Sequence, residues 1–251
     1  MIPKNGVRVV CLVPSWTETL IEASVQVVGR TRYCIHPEDR IKTIPAVGGT
    51  KSLNMNIVLK LNPDVILLDQ QENTKEMAEV LTQAGFKMIV TNVTDMESLG
   101  TALRKMSFEL QAPGLSEIAD RYQNLRQIDA LKFLKNIIID GEVESVLKAI
   151  SNASHFEYLI WKNPYMVVGQ QTFIAANLEQ IRIQLTHDQK YPEITESELQ
   201  KAFCLFSSEP FPFARNYQQW KLQGFSGALV DAEKLSWFGV RNLKFLEASQ
   251  R

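Results

Sequence analysis

The sequence predicts an α/β fold in which two lobes with mostly parallel sheets are joined by one long helix. Three observations predict this class. Short apolar runs without alternation, which are typical of strands buried in a parallel sheet, alternate with amphipathic helical patterns. After Leu110 the helical pattern continues without a strand, and after Ser154 the alternation resumes. The chain therefore reads as a lobe, a spine and a second lobe.

Residues 1–112 form the predicted N-terminal lobe. Residues 9–13 read as its first buried strand, and Ser15 with Glu18 three positions later predicts a capping box that starts a helix. The same signals predict the rest of this lobe: short apolar segments at 27–28 and 44–47, strands at 64–69 and 87–91, helices at 54–60 and 74–84, and a helix that begins near Asp95.

Residues 113–153 form the predicted spine and linker helices. Apolar side chains from Leu115 to Leu134 recur at helical spacing with no strand among them, which predicts a single stiff spine helix. A linker helix follows at 143–150.

Residues 154–251 form the predicted C-terminal lobe. Thr195 and Glu198 predict a second capping box. Apolar runs and periodicity predict strands at 156–160, 165–168, 202–206 and 228–230, and helices at 173–183 and 235–246. Both lobes are therefore expected to be Rossmann-like.

The composition excludes several classes of protein. Hydrophobic residues make up 45% of the chain, charged residues 22%, and the net charge is −1, so no electrostatic footprint for nucleic acid or an anionic membrane exists. No apolar run reaches the ~20 residues of a membrane-spanning helix. Three cysteines without regular spacing are no disulfide framework. The segment MIPKNGVRVVCLVP does not read as a signal peptide, so either the chain stays in the cytoplasm or a leader precedes it.

Ligands of open α/β sheets bind beyond the carboxyl ends of the strands, and the unusual side chains of this sequence follow those ends. Broad aromatic faces with few polar groups suit a flat, weakly polar ligand. Trp16 either lines such a site or packs beneath its loop. The candidates for ligand binding are Trp16, Tyr33, Cys34, His36, Lys51, Gln70, Trp161, Tyr165, Phe211, Trp237 and Arg241.

Cys34 and His36 also raise a metal hypothesis, since both side chains are common metal ligands. A structural zinc site needs four ligands, so three interpretations stay open: direct ligation, coordination of a metal already held in a chelate, and an ordinary polar loop. Lys51 and Arg241 either meet polar edges of a ligand or form surface salt bridges. His155 and His187 read as solvated surface residues.

The sequence contains no motif that marks a catalytic centre: no Gly-x-Ser-x-Gly, no His-Glu-x-x-His and no Gly-x-Gly-x-x-Gly after a strand. We therefore expect no enzyme and no required cofactor.

Several motifs together resemble a known family. RVVCLVPSWTETL, VGRTRYCIHP, IPAVGGTK, LNPDVILLDQQENTKE, YLIWKNPYMVVG and SSEPFPF are similar, in order, to the motifs of the class III substrate-binding proteins of ABC importers, most of all to their cobalamin-binding branch, the helical-backbone metal receptors. The resemblance implies a periplasmic or extracytoplasmic monomer that holds a corrinoid or another metal chelate between two lobes and hands it to a membrane permease. It also implies that Glu72 and Glu209 dock on that permease.

Two alternatives remain at this point. One is a cytoplasmic enzyme or chaperone that acts on a metal-containing cofactor through Cys34 and His36. The other is a corrinoid-sensing module, which would need a partner domain.

Overall fold

A computed structural model describes residues 6–251, which divide into two compact units. The first unit runs to Asn124 and includes Phe238–Leu243; the second comprises Leu125–Trp237 and Lys244–Arg251. Residues 1–5, which the predicted N-terminal lobe includes, lie outside the described residues. None of the helices in the described chain has the length and apolar character needed to cross a membrane.

The first unit is built on a five-stranded parallel sheet of order β3-β2-β1-β4-β5. Its central strands bury both faces, which explains their unbroken apolar sequences. The strands are β1 (Arg8–Cys11), β2 (Gln26–Thr31), β3 (Ala46–Gly48), β4 (Val65–Asp69) and β5 (Met88–Thr91).

Six helices complete this unit: α1 (Pro14–Glu22), α2 (Glu38–Ile41), α3 (Met55–Leu61), α4 (Lys75–Gln83), α5 (Met96–Leu110) and α6 (Pro113–Gln123). Asp95 caps α5 in a reciprocal capping box with Ser98, as its predicted start requires. The capping box predicted at Ser15 is wrong. Helix α1 begins at Pro14, whose fixed φ suits the first helical turn, so Ser15 is its second residue, and its N-cap Val13 makes no side-chain hydrogen bond.

The second unit is built on a mixed sheet of order β6-β11-β10-β7-β8-β9. Strands β7, β10 and β11 are parallel, and the other three pair antiparallel. The strands are β6 (Ile138–Asp140), β7 (Phe156–Trp161), β8 (Tyr165–Val167), β9 (Glu193–Ile194), β10 (Phe203–Ser207) and β11 (Ser226–Val230).

The helices of the second unit are short. They are α7 (Ala130–Ile137), α8 (Val143–Ser151), α9 (Phe173–Glu179), α10 (Glu196–Leu199), α11 (Tyr217–Leu222) and α12 (Ala232–Ser236), with a 3₁₀ turn at Phe213–Asn216; α13 (Val240–Ala248) follows them in the chain. The predicted capping box of Thr195 and Glu198 is confirmed at the start of α10.

The predicted fold class, two α/β lobes with mostly parallel strands, is confirmed. The prediction of a single long spine helix is wrong. Helix α6 ends at Gln123, and α7 begins at Ala130 after an N-cap in which Asp129 accepts a hydrogen bond from the Lys132 amide. Backbone groups in the interruption bond to the C-terminal segment instead: Asp129 N donates to Ser249 O at 2.8 Å. Helical periodicity on both sides of a break hides the break.

The predicted C-terminal helix is also divided. Helix α12 ends at Ser236 and α13 begins at Val240. Gly239 lies between them with φ of +83°, and a Cβ there would collide with the Thr19 hydroxyl. A glycine is required because the chain turns in the left-handed region against a neighbouring helix.

Candidate functional site

The carboxyl edge of the first sheet is tied together by the Asn73 side chain. Its Nδ2 donates to Leu12 O at 3.2 Å, beyond β1, and to Thr50 O at 2.9 Å, beyond β3, while its Oδ1 accepts from Asp69 N at 2.9 Å. One amide therefore holds the connections after three strands, at the point where strand order reverses and where open sheets bind ligands.

Asp69, at the end of β4, supports the same edge from inside. Its buried carboxylate accepts hydrogen bonds from Thr91 Oγ1 at 2.6 Å and from the amides of Gln71 and Val93. These bonds fix the loop that carries Gln70, whose side chain is exposed, and Glu72, which is half-buried. An open pocket of about 400 Å³ lies beside the loop, lined by Gln70, Asn73, Thr74, Lys75 and Val90 among others.

Three other predicted ligand-binding residues of this unit lie near its carboxyl edge. Tyr33 is 55% exposed, and its ring lies against Gly49, where a Cβ would approach its Cε2 to 3.3 Å. His36 is half-buried and Lys51 is exposed. The absence of a side chain at Gly49 leaves room for the phenol ring beside the loop.

Trp16 packs in the interior and does not line an exposed surface, which corrects the ligand-lining alternative. Its ring is 0% exposed and meets Phe238 edge to face at 4.8 Å between centroids. Its Nε1 donates to Thr91 Oγ1 at 2.9 Å, so the polar end of the indole is satisfied inside the protein.

Cys34 does not fit the metal-ligand role. The thiol is 1% exposed, and its sulfur lies 3.1 Å from the hydroxyls of Thr17 and Thr31. Burial raises the pKa of Cys34, which disfavours the thiolate that binds metals or attacks substrates. Among residues 6–251, no three His, Cys, Asp or Glu side chains form a group able to hold a metal ion.

Arg241 forms an ion pair with Glu18, which is the second of the two interpretations that the sequence left open for this residue. Its Nε lies 2.8 Å from Glu18 Oε2 and its Nη2 lies 3.2 Å from Glu18 Oε1. Glu18, predicted to cap α1, therefore pairs with α13 instead.

The carboxyl edge of the second sheet carries an aromatic pair. Trp161 ends β7 and is 41% exposed, and its ring meets the half-buried Phe211 edge to face at 5.6 Å and 79°. Phe211 packs in turn on the buried Phe213 at 4.6 Å. The core thus holds the Phe211 ring, and Phe211 in turn supports the exposed ring of Trp161. An exposed aromatic ring of this kind offers an apolar face to a flat ligand.

Tyr165 contacts Trp220, a tryptophan that was not among the residues predicted to bind a ligand. Trp220 packs on Tyr165 at 6.1 Å and carries Lys162 Nζ 4.4 Å above its ring. The helical stretch YQQWKL places Trp220 on the buried face of α11, but no local signal joins it to the loop after β7. Partial burial raises the pKa of Tyr165, and its hydroxyl donates to Glu196 at 3.4 Å.

Glu209 and Trp237 interact, although they were predicted for separate roles. The Trp237 side chain hydrogen-bonds to Glu209. Partial burial and the nearby Glu233 carboxylate raise the pKa of Glu209, and the bond from Trp237 opposes that shift. Ser207 Oγ donates to the backbone carbonyl of Glu209 and so holds the loop.

His155 and His187 were expected as solvated residues. Both contact the buried carboxylate of Glu157. Residues 155 and 187 are far apart in sequence, so only the fold reveals this cluster.

Comparison with known proteins matches the motif-based resemblance. Residues 9–126 match the family model described as "Periplasmic binding protein". The vitamin B12-binding proteins of Salmonella paratyphi A and Salmonella typhi are each 27% identical over 100 residues, which is 40% of this chain and 37% of their own length. The chain thus matches little more than a third of these curated relatives.

Solved structures match over nearly the whole chain. The periplasmic vitamin B12 binding protein BtuF of Vibrio cholerae superposes with a TM-score of 0.71 at 16% identity, covering 96% of this chain and 94% of that one. The haem-binding protein BhuT gives 0.73 at 18% identity, covering 96% and 95%. The siderophore-binding protein FhuD of Vibrio cholerae gives 0.66 at 16%, covering 97% and 96%. These matches agree with the resemblance: residues 9–126 match the periplasmic binding protein family model, and nearly the whole chain shares the fold of these solved binding proteins.

Proposed function

We propose that this protein is the solute-binding component of an ABC importer, that it captures a corrinoid or another metal chelate, and that it delivers the chelate to a membrane permease. The observation that carries the ligand class is the aromatic pair formed by the exposed Trp161 and the half-buried Phe211. Rigid rings at a sheet's carboxyl edge contact a macrocycle over a wide area at little entropic cost.

The polar residues that we propose to bind the ligand belong to the first unit. Tyr33, His36, Lys51 and Gln70 are exposed or half-buried near the carboxyl edge of its sheet. In this proposal His36 coordinates a metal that the ligand already holds, since a neutral imidazole is a common metal ligand. Solved proteins of this fold carry names for vitamin B12, haem and siderophore binding, and all three ligands are chelates or chelators.

Glu72 and Glu209 are the proposed contacts with the permease, and the proposed location is outside the cytoplasmic membrane. The alternative of an enzyme or chaperone relied on Cys34 as a reactive group, and its buried, protonated thiol argues against that role.

The proposal is tested by titrating the protein with cobalamin, cobinamide, haem, a ferric hydroxamate and divalent metal ions, followed by absorbance and calorimetry. We expect submicromolar binding of one chelate and none of the bare ions. Binding of zinc or manganese alone, abolished by His36→Ala, would contradict the proposal, as would turnover of any chelate.

A further inference from the structure

Lys162 follows Trp161 in the loop beyond β7, and its ammonium group rests on a buried ring. Its Nζ lies 4.4 Å from the centroid of the Trp220 ring, which is 3% exposed, while Lys162 itself is half-buried. The negative face of an indole attracts an ammonium group, so this contact restricts a side chain that is otherwise flexible. The loop therefore holds one positive charge in place at the carboxyl edge of the second sheet.

The same aromatic cluster carries Lys162 and the exposed ring of Trp161. The centroids of Trp220 and Phe213 are 5.4 Å apart, and those of Phe213 and Phe211 are 4.6 Å apart. Phe211 in turn contacts Trp161 at 5.6 Å. A continuous series of ring contacts thus joins the ammonium group to the aromatic face that we propose for the ligand, and both groups are supported from the interior.

The Lys162 ammonium group has a charge that the ring contact does not neutralise. Lys162 forms no ion pair with any residue among 6–251. Glu196, whose carboxylate reaches the Tyr165 side of the cluster, accepts a hydrogen bond from the Tyr165 hydroxyl at 3.4 Å instead. An indole face carries no formal charge and an ammonium group has three N–H donors, so Lys162 remains able to bind an anionic acceptor.

We propose that Lys162 binds an acidic group at the periphery of the chelate while Trp161 contacts its ring. The acidic group is a carboxylate or a phosphate, the two anions that an ammonium group binds most often in proteins. The protein then selects anionic chelates over neutral chelates that have the same ring. This inference rests on the proposed function, because it assigns a second contact to the same ligand.

A lysine held in this way favours an anionic ligand for two reasons. A charge-assisted hydrogen bond to a carboxylate or phosphate is about twice as strong as a neutral one. Because Trp220 already restricts the side chain, ligand binding orders it little further and costs less conformational entropy. An ester or amide at the same position of the ligand gains only an ordinary hydrogen bond.

Two pairs of chelates test the inference on the full chain, and they separate the two acidic groups. Haem and its dimethyl ester share a ring and differ in their carboxylates, whereas cobinamide phosphate and cobinamide share a ring and differ in a phosphate. We expect wild type to bind the acidic member of one pair about tenfold more tightly than the neutral member. Isothermal titration calorimetry measures both affinities.

Lys162→Gln should reduce this preference to less than about threefold by weakening the binding of the acidic ligand alone, and Lys162→Arg should keep the preference. An unchanged affinity for the neutral ligand shows that the variant is folded and retains its site. Lys221→Gln is the matched control, since Lys221 Nζ also lies over a ring of this unit, 5.2 Å from the centroid of Tyr217, but on α11. Its preference should equal that of wild type.

Equal affinity of wild type for both members of each pair, or a preference that survives in Lys162→Gln, would overturn the inference and leave the proposed function intact. Loss of the preference in both Lys162 variants, or an equal loss in Lys221→Gln, would also overturn it. If wild type binds none of the four chelates, the inference fails. The proposed function fails with it only if the ferric hydroxamate does not bind either.

Discussion

At the scale of single residues, exposure separates the aromatic side chains that can meet a ligand from those that hold the protein together. Trp16 follows β1 and Trp161 ends β7, so the two residues look equivalent in sequence. Trp16 is 0% exposed and hydrogen-bonded to Thr91, whereas Trp161 is 41% exposed and supported by Phe211. The two residues should therefore respond to mutation in opposite ways.

Under the proposed function, Trp161→Ala should weaken chelate binding by about 1–3 kcal/mol, because it removes an aromatic ring from the proposed ligand-binding edge of the second sheet. Its effect on the free energy of unfolding should be small. Isothermal titration calorimetry measures the affinity, and Phe108→Ala, which removes an exposed ring from α5, is the matched control. An unchanged affinity in Trp161→Ala would remove this residue from the site.

Trp16→Phe should lower the free energy of unfolding by about 1–3 kcal/mol, because it removes a buried donor and part of a packed ring. Urea unfolding followed by circular dichroism measures the loss. Chelate affinity should not change. A variant with wild-type stability and lost affinity would show that Trp16 contacts the ligand after all.

At the scale of elements, the ends of helices were less predictable than their existence. Asp95 and Thr195 start helices where their capping boxes predict, since both partners of each box are close in sequence. The breaks at Asn124 and Gly239 depend on distant segments, namely the C-terminal chain and Thr19. Periodicity within a short window does not contain that information.

Gly239→Ala should destabilise the protein by about 1–3 kcal/mol, since its φ is positive and a methyl group would collide with Thr19. Gly100→Ala is the control: Gly100 lies inside α5 with open space around it, and the change should stabilise by up to ~1 kcal/mol. Thermal unfolding of both variants checks the pair. Equal effects of the two substitutions would contradict the steric role of Gly239.

At the scale of the whole molecule, the three free cysteines are distributed over both units, and all three are buried. Burial raises the pKa of Cys11 and Cys34 in the first unit and of Cys204 in the second. In the folded protein they stay protonated at a pH where unfolded thiols ionise. The buried protonated thiols therefore stabilise the folded state below the pKa of an unfolded cysteine, ~8.5. This stabilisation is lost as the pH rises from there toward the raised pKa values of the folded state.

The free energy of unfolding should therefore fall between pH 8 and pH 10, by up to ~1.4 kcal/mol per pH unit for each thiol. Urea unfolding at pH 7.5, 8.5 and 9.5 measures the slope. A thiol reagent should label none of the three cysteines in folded protein and all three in urea. The variant Cys204→Ala should have a smaller slope than wild type, and an equal slope would contradict the assignment.

The sequence by itself determined the α/β class, the parallel strands and the resemblance to binding proteins, because apolar runs, capping boxes and loop motifs are local signals. It also selected Trp161 and Phe211, since each follows a buried strand. The tertiary structure alone decided that Trp16 and Cys34 are interior, that Arg241 pairs with Glu18, and that two histidines share the carboxylate of Glu157. Burial and ion pairing depend on residues that meet only in the folded chain, and a linear pattern does not encode which neighbours those will be.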